Sequence, residues 1–296
     1  MSKTTDRAKA LGIGIAALAA VSVVASRAID AYQERKYAEA DARPCNPTNP
    51  EPGQRPYPQD LPGHEEGIYE RYVKRPQDFA CALVALVCLS PVMGATALLV
   101  RTKLGSPVIF KQKRPGKDGC IFELYKFRSM TDERDAGGNL LPDEARLTSF
   151  GKLLRSTSLD ELPELVNILK GDMSVVGPRP QLVRDIVFMT DNQLLRQTIR
   201  PGLTGLAQIH GRNSISWNEK LKWDVAYLNR IGFVEDWHII LETLQTAVIG
   251  REGITDGEHA TSLDYGDYLL EQGLVSQEEY DCKQILAEEV LSNARQ

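Results

Sequence analysis

A stretch of 22 uncharged residues, 79–100, constrains this chain more than any other feature of its sequence. As a helix it would be about 33 Å long, and the apolar core of a bilayer is roughly 30 Å thick. Ser90 and Pro91 lie at its middle, and a proline inside a helix removes one backbone hydrogen bond and bends the axis. The sequence therefore predicts a long, bent, membrane-embedded helix.

Basic residues flank this stretch on both sides, at Lys74 and Arg75 before it and at Arg101 and Lys103 after it. Because basic flanks favour the cytoplasmic side of a membrane, both ends of the helix are predicted to face the cytoplasm. A re-entrant helix that enters the bilayer, bends at Pro91 and returns accounts for both features. Two alternatives remain, a kinked helix that crosses the bilayer and a buried helix of a soluble protein.

Four segments can be distinguished along the chain. Residues 1–42 contain a short apolar stretch, 10–26, that predicts a membrane anchor or single span, with a cleaved signal peptide as the alternative. Prolines are frequent in residues 43–69, which predicts an extended linker. Residues 70–251 are predicted to form the main domain, and residues 252–296 an acidic helical tail.

Charge is distributed unevenly between these segments. The tail carries 11 acidic and 2 basic residues, so the net charge of −5 for the whole chain leaves +4 for the residues before it. A mildly basic main domain suits anionic substrates or an anionic membrane surface.

Several motifs of common enzyme classes are missing from the sequence. The five cysteines form no CxxC pair, the four histidines form no HExxH motif, and neither a Walker A sequence nor a GxSxG elbow occurs. These absences argue against zinc hydrolases, P-loop enzymes and α/β-hydrolases. The irregular cysteine spacing favours a reducing, cytosolic setting.

The main domain is predicted to be mostly helical with a small sheet. Residues 108–113 and 120–128 are rich in β-forming side chains and flank a turn-rich connection, which predicts a β-hairpin. Helical periodicity predicts six further helices, at residues 159–170, 181–196, 217–229, 236–249, 265–270 and 277–291. The predicted fold class is α+β and mostly helical, with the re-entrant helix, the hairpin and several interfacial helices forming a cytoplasmic catalytic domain.

The segment RSTSLDELPEL at 155–165 is the richest in residues that suit phosphate chemistry. Asp160 is predicted to lie in the first turn of a helix, where free N–H groups and the helix dipole favour a charged, nucleophilic carboxylate. Glu161 adds a second oxygen ligand for Mg²⁺, and Arg155 can donate two hydrogen bonds to a phosphate. The alternative is structural: Ser158 and Glu161 fit a capping box, or Asp160 itself caps the helix.

Two further clusters supply cations for a phosphate-binding site. Lys126 and Arg128 alternate along a predicted strand, which would place both side chains on one face. Arg179 lies in the rigid turn GPRP at 177–180. All three are candidates for anion binding, although each taken singly could be a solvated surface charge or part of a structural turn.

The sequence resembles the bacterial sugar transferase family, the phosphoglycosyl transferases with one re-entrant membrane helix. The resemblance covers roughly residues 70–250. It is carried by Lys74-Arg75, Asp78, Ser90-Pro91, KRPGK at 113–117, FELYKFRSM at 122–130, LTSFGKLLR at 147–155, TSLDELPEL at 157–165, GDMSVVGPRP at 171–180, RPGLTG at 200–205, Asp224 and Asp236.

This resemblance implies a two-step exchange that depends on Mg²⁺. Asp160 would attack a UDP-sugar, release UMP and hold the sugar phosphate, which a polyprenyl phosphate such as undecaprenyl phosphate would then accept. Glu161 would be the metal partner of Asp160, and Arg155 would meet the lipid phosphate. Asp224 and Asp236 are carried over as substrate-binding candidates. The product would start a surface glycan or exopolysaccharide at the inner membrane of a bacterium.

Two other functions remain as alternatives, a lipid-linked diphosphate hydrolase and a non-catalytic factor for glycan assembly. The expected partners are the two substrates and membrane lipids, without nucleic acid, while a homo-oligomer or glycan-assembly partners stay open. The sugar is not predicted. The acidic tail lies beyond the resemblance, so its deletion is expected to spare the chemistry.

Overall fold

The computed structural model describes residues 64–211, 215–249 and 263–293. The predicted N-terminal anchor and most of the proline-rich linker lie outside these residues. Helix α1, Arg75–Lys103, follows a π-helical turn, Glu70–Lys74. Within the described ranges one helix is long and apolar enough to cross a membrane, and it is this one, Glu70–Lys103. The predicted long apolar helix is confirmed.

In the middle of α1 a side chain replaces a missing backbone hydrogen bond. Pro91 has no N–H to donate to the carbonyl of Val87, four residues earlier. The hydroxyl of Ser90 donates to that same carbonyl oxygen at 2.8 Å. Ser90 therefore donates the hydrogen bond that Pro91 cannot donate, and the Val87 carbonyl stays paired. An unpaired carbonyl would be costly in the apolar core of a membrane.

Both halves of α1 pack into the same domain. Ala82 belongs to a buried cluster with Leu124, and Val100 belongs to another with Phe127. Both ends of α1 are therefore packed onto the domain, while Val87 between them stays 66 % exposed.

The predicted hairpin is confirmed. Strands β1, Ile109–Pro115, and β2, Ile121–Phe127, pair antiparallel. They are joined through a short 3₁₀ turn, Lys117–Gly119, with Asp118 in the left-handed region. Asn167 ties the hairpin to the helical part, because its side-chain amide donates to the Glu123 carbonyl and its oxygen accepts from the backbone of Tyr125.

A second small sheet was not predicted. Strands β3, Ser174–Val176, and β4, Gly202–Thr204, pair in parallel. The two backbones approach so closely that a Cβ on Gly202 would lie 2.1 Å from the nitrogen of Gly177. Strands of three residues are too short for a period-two pattern to appear in the sequence.

The remaining elements of the described ranges are helices, three of which have 12 or more residues. In chain order they are α2 Asp143–Arg146, α3 Ser149–Ser156, α4 Glu164–Lys170, α5 Val183–Ile186, α6 Asp191–Leu194, α7 Leu206–Ile209, α8 Trp217–Leu228, α9 Phe233–Ile249, α10 Tyr265–Glu271 and α11 Gln277–Asn293. The helices predicted at 217–229, 236–249, 265–270 and 277–291 are confirmed as α8 to α11.

The single helix predicted at 181–196 is wrong. The chain forms α5, then α6, then a 3₁₀ turn, Leu195–Thr198. The break comes at Thr190, whose hydroxyl accepts from the backbone of Gln193 while the Gln193 side chain accepts from the backbone of Thr190. This capping box starts a new helix and overrides the continuous apolar periodicity.

Candidate active site

Asp160 and Glu161 lie at the start of a helical segment. They belong to a 3₁₀ turn, Leu159–Glu161, which follows Ser158 and leads into α4. Ser158 has φ +53° and its side chain makes no capping hydrogen bond, and the residue that caps α4 is Pro163. The capping alternatives for this segment therefore fail, and the two carboxylates need another explanation.

Glu161 is held by two cations. Its Oε1 accepts from Lys126 Nζ at 2.9 Å and from Arg179 Nη2 at 2.5 Å. Burial alone would raise the pKa of Glu161, but the charges of Arg179 and Lys126 outweigh it and keep that pKa well below its ordinary value. Glu161 is thus an anion, and the hairpin and the 177–180 turn meet at it.

Glu164 is a third carboxylate of this site, and sequence reasoning gave it no role. Its Oε1 lies 3.1 Å from Lys126 Nζ, and the residue is 2 % exposed. Burial raises the pKa of Glu164 to about 7, with Glu161 adding to the rise and Lys126 opposing it. The spacing of three residues from Glu161, which places both on one helical face, could have revealed it.

Asp160 is buried, at 8 % exposed. Burial, and next the charge of Glu161, raise its pKa to about 6, while Lys126, Arg179 and Arg155 lower it. The pKa of Asp160 is therefore shifted opposite to the direction that a helix N-terminus favours, and its role as nucleophile stays a prediction.

Arg155 approaches from α3. Its Nε donates to Ser129 Oγ at 3.0 Å, and its charge acts on Asp160. Burial lowers the pKa of Arg155. Arg179, in contrast, leaves 45 % of its side chain exposed beside Glu161. Arg155 is thus partly buried, while Arg179 opens to solvent.

Arg128 does not join the carboxylates. Strand β2 ends at Phe127, one residue before it. The guanidinium donates to the carbonyls of Leu104 and Ser106 and pairs with Asp132. Arg128 thereby ties the end of β2 to the end of α1, so the alternation predicted with Lys126 does not place both cations at one site.

Asp224 and Asp236 lie in buried ion pairs. Asp224 accepts from Arg196 Nε at 2.9 Å, and Asp236 accepts from Lys74 Nζ at 2.5 Å and from Tyr227 at 2.6 Å. Both aspartates are at most 2 % exposed. The contacts indicate anchoring of helices, and the described structure gives neither side chain a path to a substrate.

The acidic pair fits a magnesium ion that uses substrate oxygens. Within the described ranges, no group of three or more His, Cys, Asp or Glu side chains could hold a metal. Mg²⁺ commonly takes one or two carboxylates and completes its six ligands with water and substrate phosphates. Asp160 and Glu161 suit that pattern, and they do not suit a cation held by protein ligands alone.

Comparison with known proteins settles the family. The sequence profile of the bacterial sugar transferases matches residues 69–250, which is more than half of the chain. The chain belongs to the bacterial sugar transferase family. Its enzyme class, as the sequence predicted, is that of the phosphoglycosyl transferases.

Curated relatives within this sugar transferase family differ in length. EpsL of Bacillus subtilis (strain 168), an uncharacterized sugar transferase, is 50 % identical over 190 residues, 64 % of this chain and 94 % of that protein. ExoY of Rhizobium meliloti (strain 1021), an exopolysaccharide production protein, is 33 % identical over 195 residues, 60 % and 86 % of the two chains.

A longer relative is the UDP-glucose:undecaprenyl-phosphate glucose-1-phosphate transferase of Klebsiella pneumoniae. It is 39 % identical over 175 residues, which are 57 % of this chain and 37 % of that protein. This sugar transferase therefore spans less than half the length of that relative.

Proposed function

We propose that this enzyme transfers a sugar 1-phosphate from a UDP-sugar to undecaprenyl phosphate, through a covalent intermediate on Asp160, and so starts synthesis of a surface polysaccharide. The observation that carries the proposal is the buried, ionisable Asp160 within the field of Lys126, Arg155 and Arg179. The relative from Klebsiella pneumoniae supports it, since its name gives undecaprenyl phosphate as the acceptor.

In the first step an Asp160 oxygen attacks the β-phosphorus of the UDP-sugar. The bond from this phosphorus to the oxygen that bridges the two phosphates breaks, and UMP leaves with that oxygen. The sugar phosphate stays on Asp160 as an acyl phosphate. Negative charge on the transferring group is stabilised by fixed cations, and Arg179, being partly exposed, is suited to reach it.

In the second step an oxygen of the lipid phosphate attacks the same phosphorus. The bond between Asp160 and phosphorus breaks, the carboxylate is restored, and the product is a polyprenyl diphospho-sugar. Arg155 is assigned to the phosphate of the acceptor. A pKa of about 6 makes Asp160 a usable nucleophile at neutral pH and a reasonable leaving group from the acyl phosphate.

Glu161 and Asp160 would hold Mg²⁺ together with the diphosphate of the donor. The ion, when bound, would neutralise part of the diphosphate charge. Lys126 and Arg179 keep Glu161 ionised and in place, whether or not a metal is bound. Glu164 shares Lys126 with Glu161 and so fixes the position of that ammonium group.

The enzyme is proposed to sit in the inner membrane with its catalytic domain on the cytoplasmic side. Support comes from α1, which is apolar, exposed at its middle and packed onto the domain at both ends. A re-entrant α1 would bring the domain to the bilayer surface, where a lipid phosphate is accessible.

The test uses the full-length enzyme in phospholipid nanodiscs with Mg²⁺ and a panel of UDP-sugars. With undecaprenyl phosphate present, one donor should give catalytic UMP release. Without the acceptor, the peptide that contains Asp160 should gain the mass of a sugar phosphate. An adduct on another residue would overturn the proposed nucleophile.

The hydrolase alternative predicts a different result in the same assay. UMP would be released continuously without a lipid acceptor, and free sugar phosphate would accumulate. A non-catalytic assembly factor would release no UMP from any donor.

A further inference from the structure

The C-terminal segment 263–293 completes the core of the domain, although the family profile ends at residue 250. Tyr265 and Leu269 of α10 are buried in one cluster with Ile186, Phe188 and Leu221. Tyr280 of α11 packs on the same cluster, with its ring centroid 5.7 Å from that of Phe188. The segment is therefore an integral layer over α5 and α8.

Polar contacts fix this layer to α5. Arg184 Nη2 donates to both carboxylate oxygens of Asp267, at 2.8 and 3.0 Å, and to the Tyr280 hydroxyl at 2.9 Å. Its Nη1 lies 3.5 Å from Asp264. One arginine of α5 thus contacts both tail helices and the residue that precedes α10.

Asp185 joins the tail to the chain that leaves the 177–180 turn. The side chain is 1 % exposed. Its Oδ1 accepts from the backbone of Tyr265 at 2.9 Å, and its Oδ2 accepts from the backbone of Leu182 at 3.3 Å. Leu182 is three residues after Arg179, so one buried carboxylate couples the two segments.

The last two residues of the turn have anchors of their own. Arg196, held by Asp224, donates to the carbonyl of Arg179, and Arg114 donates to the carbonyl of Pro180 at 3.1 Å. These contacts fix the backbone where the turn ends. Where it continues depends on α5, and α5 is held by the tail.

We propose that the C-terminal segment positions Arg179, by holding α5 so that the guanidinium stays in place beside Glu161. Asp185, Tyr265 and Asp267 are positioning residues and do not contact substrate. The activity readout of this inference rests on the proposed function, while the docking of the tail can be measured separately.

The test is Gly266→Val in the full-length enzyme. A Cβ on Gly266 would lie 2.6 Å from Cε2 of the buried Phe188 ring, so α10 has to separate from it. Glu271→Val introduces the same side chain at an exposed position of α10 and is the matched control. Hydrogen exchange at the amides of α10 should rise in Gly266→Val and stay unchanged in Glu271→Val.

UMP release should then fall about tenfold to a hundredfold in Gly266→Val, since a misplacement of about 1 Å can cost ~10²-fold. The decisive comparison is a double-mutant cycle with Arg179→Lys. If the tail acts through Arg179, Gly266→Val costs much less in the Arg179→Lys background than in the wild type. A general loss of folded enzyme would lower the rate by the same factor in both backgrounds.

Equal losses in the two backgrounds overturn the proposal, as does an undocked tail with unchanged UMP release. If Gly266→Val does not fold, Asp185→Asn serves in the same cycle, because it is isosteric and removes one acceptor from either Tyr265 or Leu182. A wild-type enzyme that releases no UMP with any donor would instead contradict the proposed function.

Discussion

At the scale of single residues, burial raises the pKa values of the carboxylates in the site, and the nearby cations lower them. Burial and the charge of Glu161 raise the pKa of Asp160 to about 6. Its ordinary value is about 3.9. A carboxyl whose folded-state pKa is raised makes the ionised protein less stable, and this cost is absent below pH about 4 and complete above pH about 6.

Replacing Asp160 with Asn should therefore abolish UMP release and yet stabilise the fold. The amide is a poor nucleophile, but it carries no charge to bury. At pH 7.5 and without divalent cations, we expect a gain of roughly 1–3 kcal/mol in the free energy of unfolding. Thermal unfolding at pH 7.5 and at pH 4.5 would check this, since the gain should shrink at the lower pH.

Ser158→Ala is the control for this prediction, because Ser158 makes no capping bond. Its stability should stay close to that of the wild type at both pH values. Destabilisation of Asp160→Asn at pH 7.5 would mean that the three cations outweigh burial, so that the pKa of Asp160 is lowered and not raised.

Lys126 is the second residue whose replacement gives a sharp expectation. Its ammonium neutralises Glu161 and Glu164, and removal of one partner from a buried ion pair costs about 3–5 kcal/mol. Lys126→Met should therefore lower the unfolding temperature strongly, and adding Glu164→Gln should recover part of it. Lys111→Met, which removes a solvent-exposed partner of Glu123, should change stability little. An equally unstable double variant would argue against a role for Glu164 in this pair.

At the scale of elements, α1 makes a testable claim about topology. Cysteines placed at Tyr72, which is 67 % exposed, and at the exposed Lys103 flank the apolar part of the helix. In a background without the five native cysteines, both should resist an impermeant thiol reagent in intact cells and react after lysis. Labelling of only one in intact cells would indicate a helix that crosses the bilayer.

The structure also shows where such a label must not be placed. Lys74 looks equally suitable in the sequence, but its side chain is buried against Asp236 and Tyr227. A cysteine there would break the anchor and report on unfolding instead of topology. Pro91→Ala is the informative companion variant, because it returns an N–H to the helix and should let one end of α1 move outward.

The elements that sequence predicts well are those whose signal is local. The uncharged run that forms α1, the turn between β1 and β2 and the periodicity of α8 are each read from one continuous stretch of sequence. Strands β3 and β4 were missed because three residues show no period and the two strands pair across 28 positions of the chain. The break at Thr190 was missed although its capping box with Gln193 is local. For the site, the structure brings Lys126, Arg179 and Glu161 together, and their roles in binding anions and metal stay predictions.

The roles carried over for Asp224 and Asp236 could not be judged from the sequence. Their partners Arg196 and Lys74 are 28 and 162 residues away along the chain, and no local pattern reports such a pairing. Arg128 lies away from the site for a local reason. Strand β2 ends at Phe127, one residue before it, so the alternation of side chains along the strand does not extend to Arg128. Glu164 was overlooked although its helical spacing from Glu161 was visible.

At the scale of the whole molecule, the tail changes what a truncation should do. The sequence alone predicts that deletion after Arg251 spares the chemistry. Since Ile186, Phe188 and Leu221 pack against Tyr265 and Leu269, the deletion would expose their apolar surface. With this packing in view, we expect a clearly lower unfolding temperature and loss of UMP release. A truncated enzyme with full thermal stability and full activity would contradict both the packing argument and the positioning role.

The Lys74–Asp236 pair has a consequence for biosynthesis. The ribosome must add 162 residues after Lys74 before Asp236 exists. At about 5–20 residues per second this takes roughly 10–30 s. Until then the buried ammonium of Lys74 lacks its carboxylate partner, so this end of α1 cannot reach its final packing. With the proposed membrane location, insertion of the helix comes before docking of α9, and the order of synthesis sets the order of assembly.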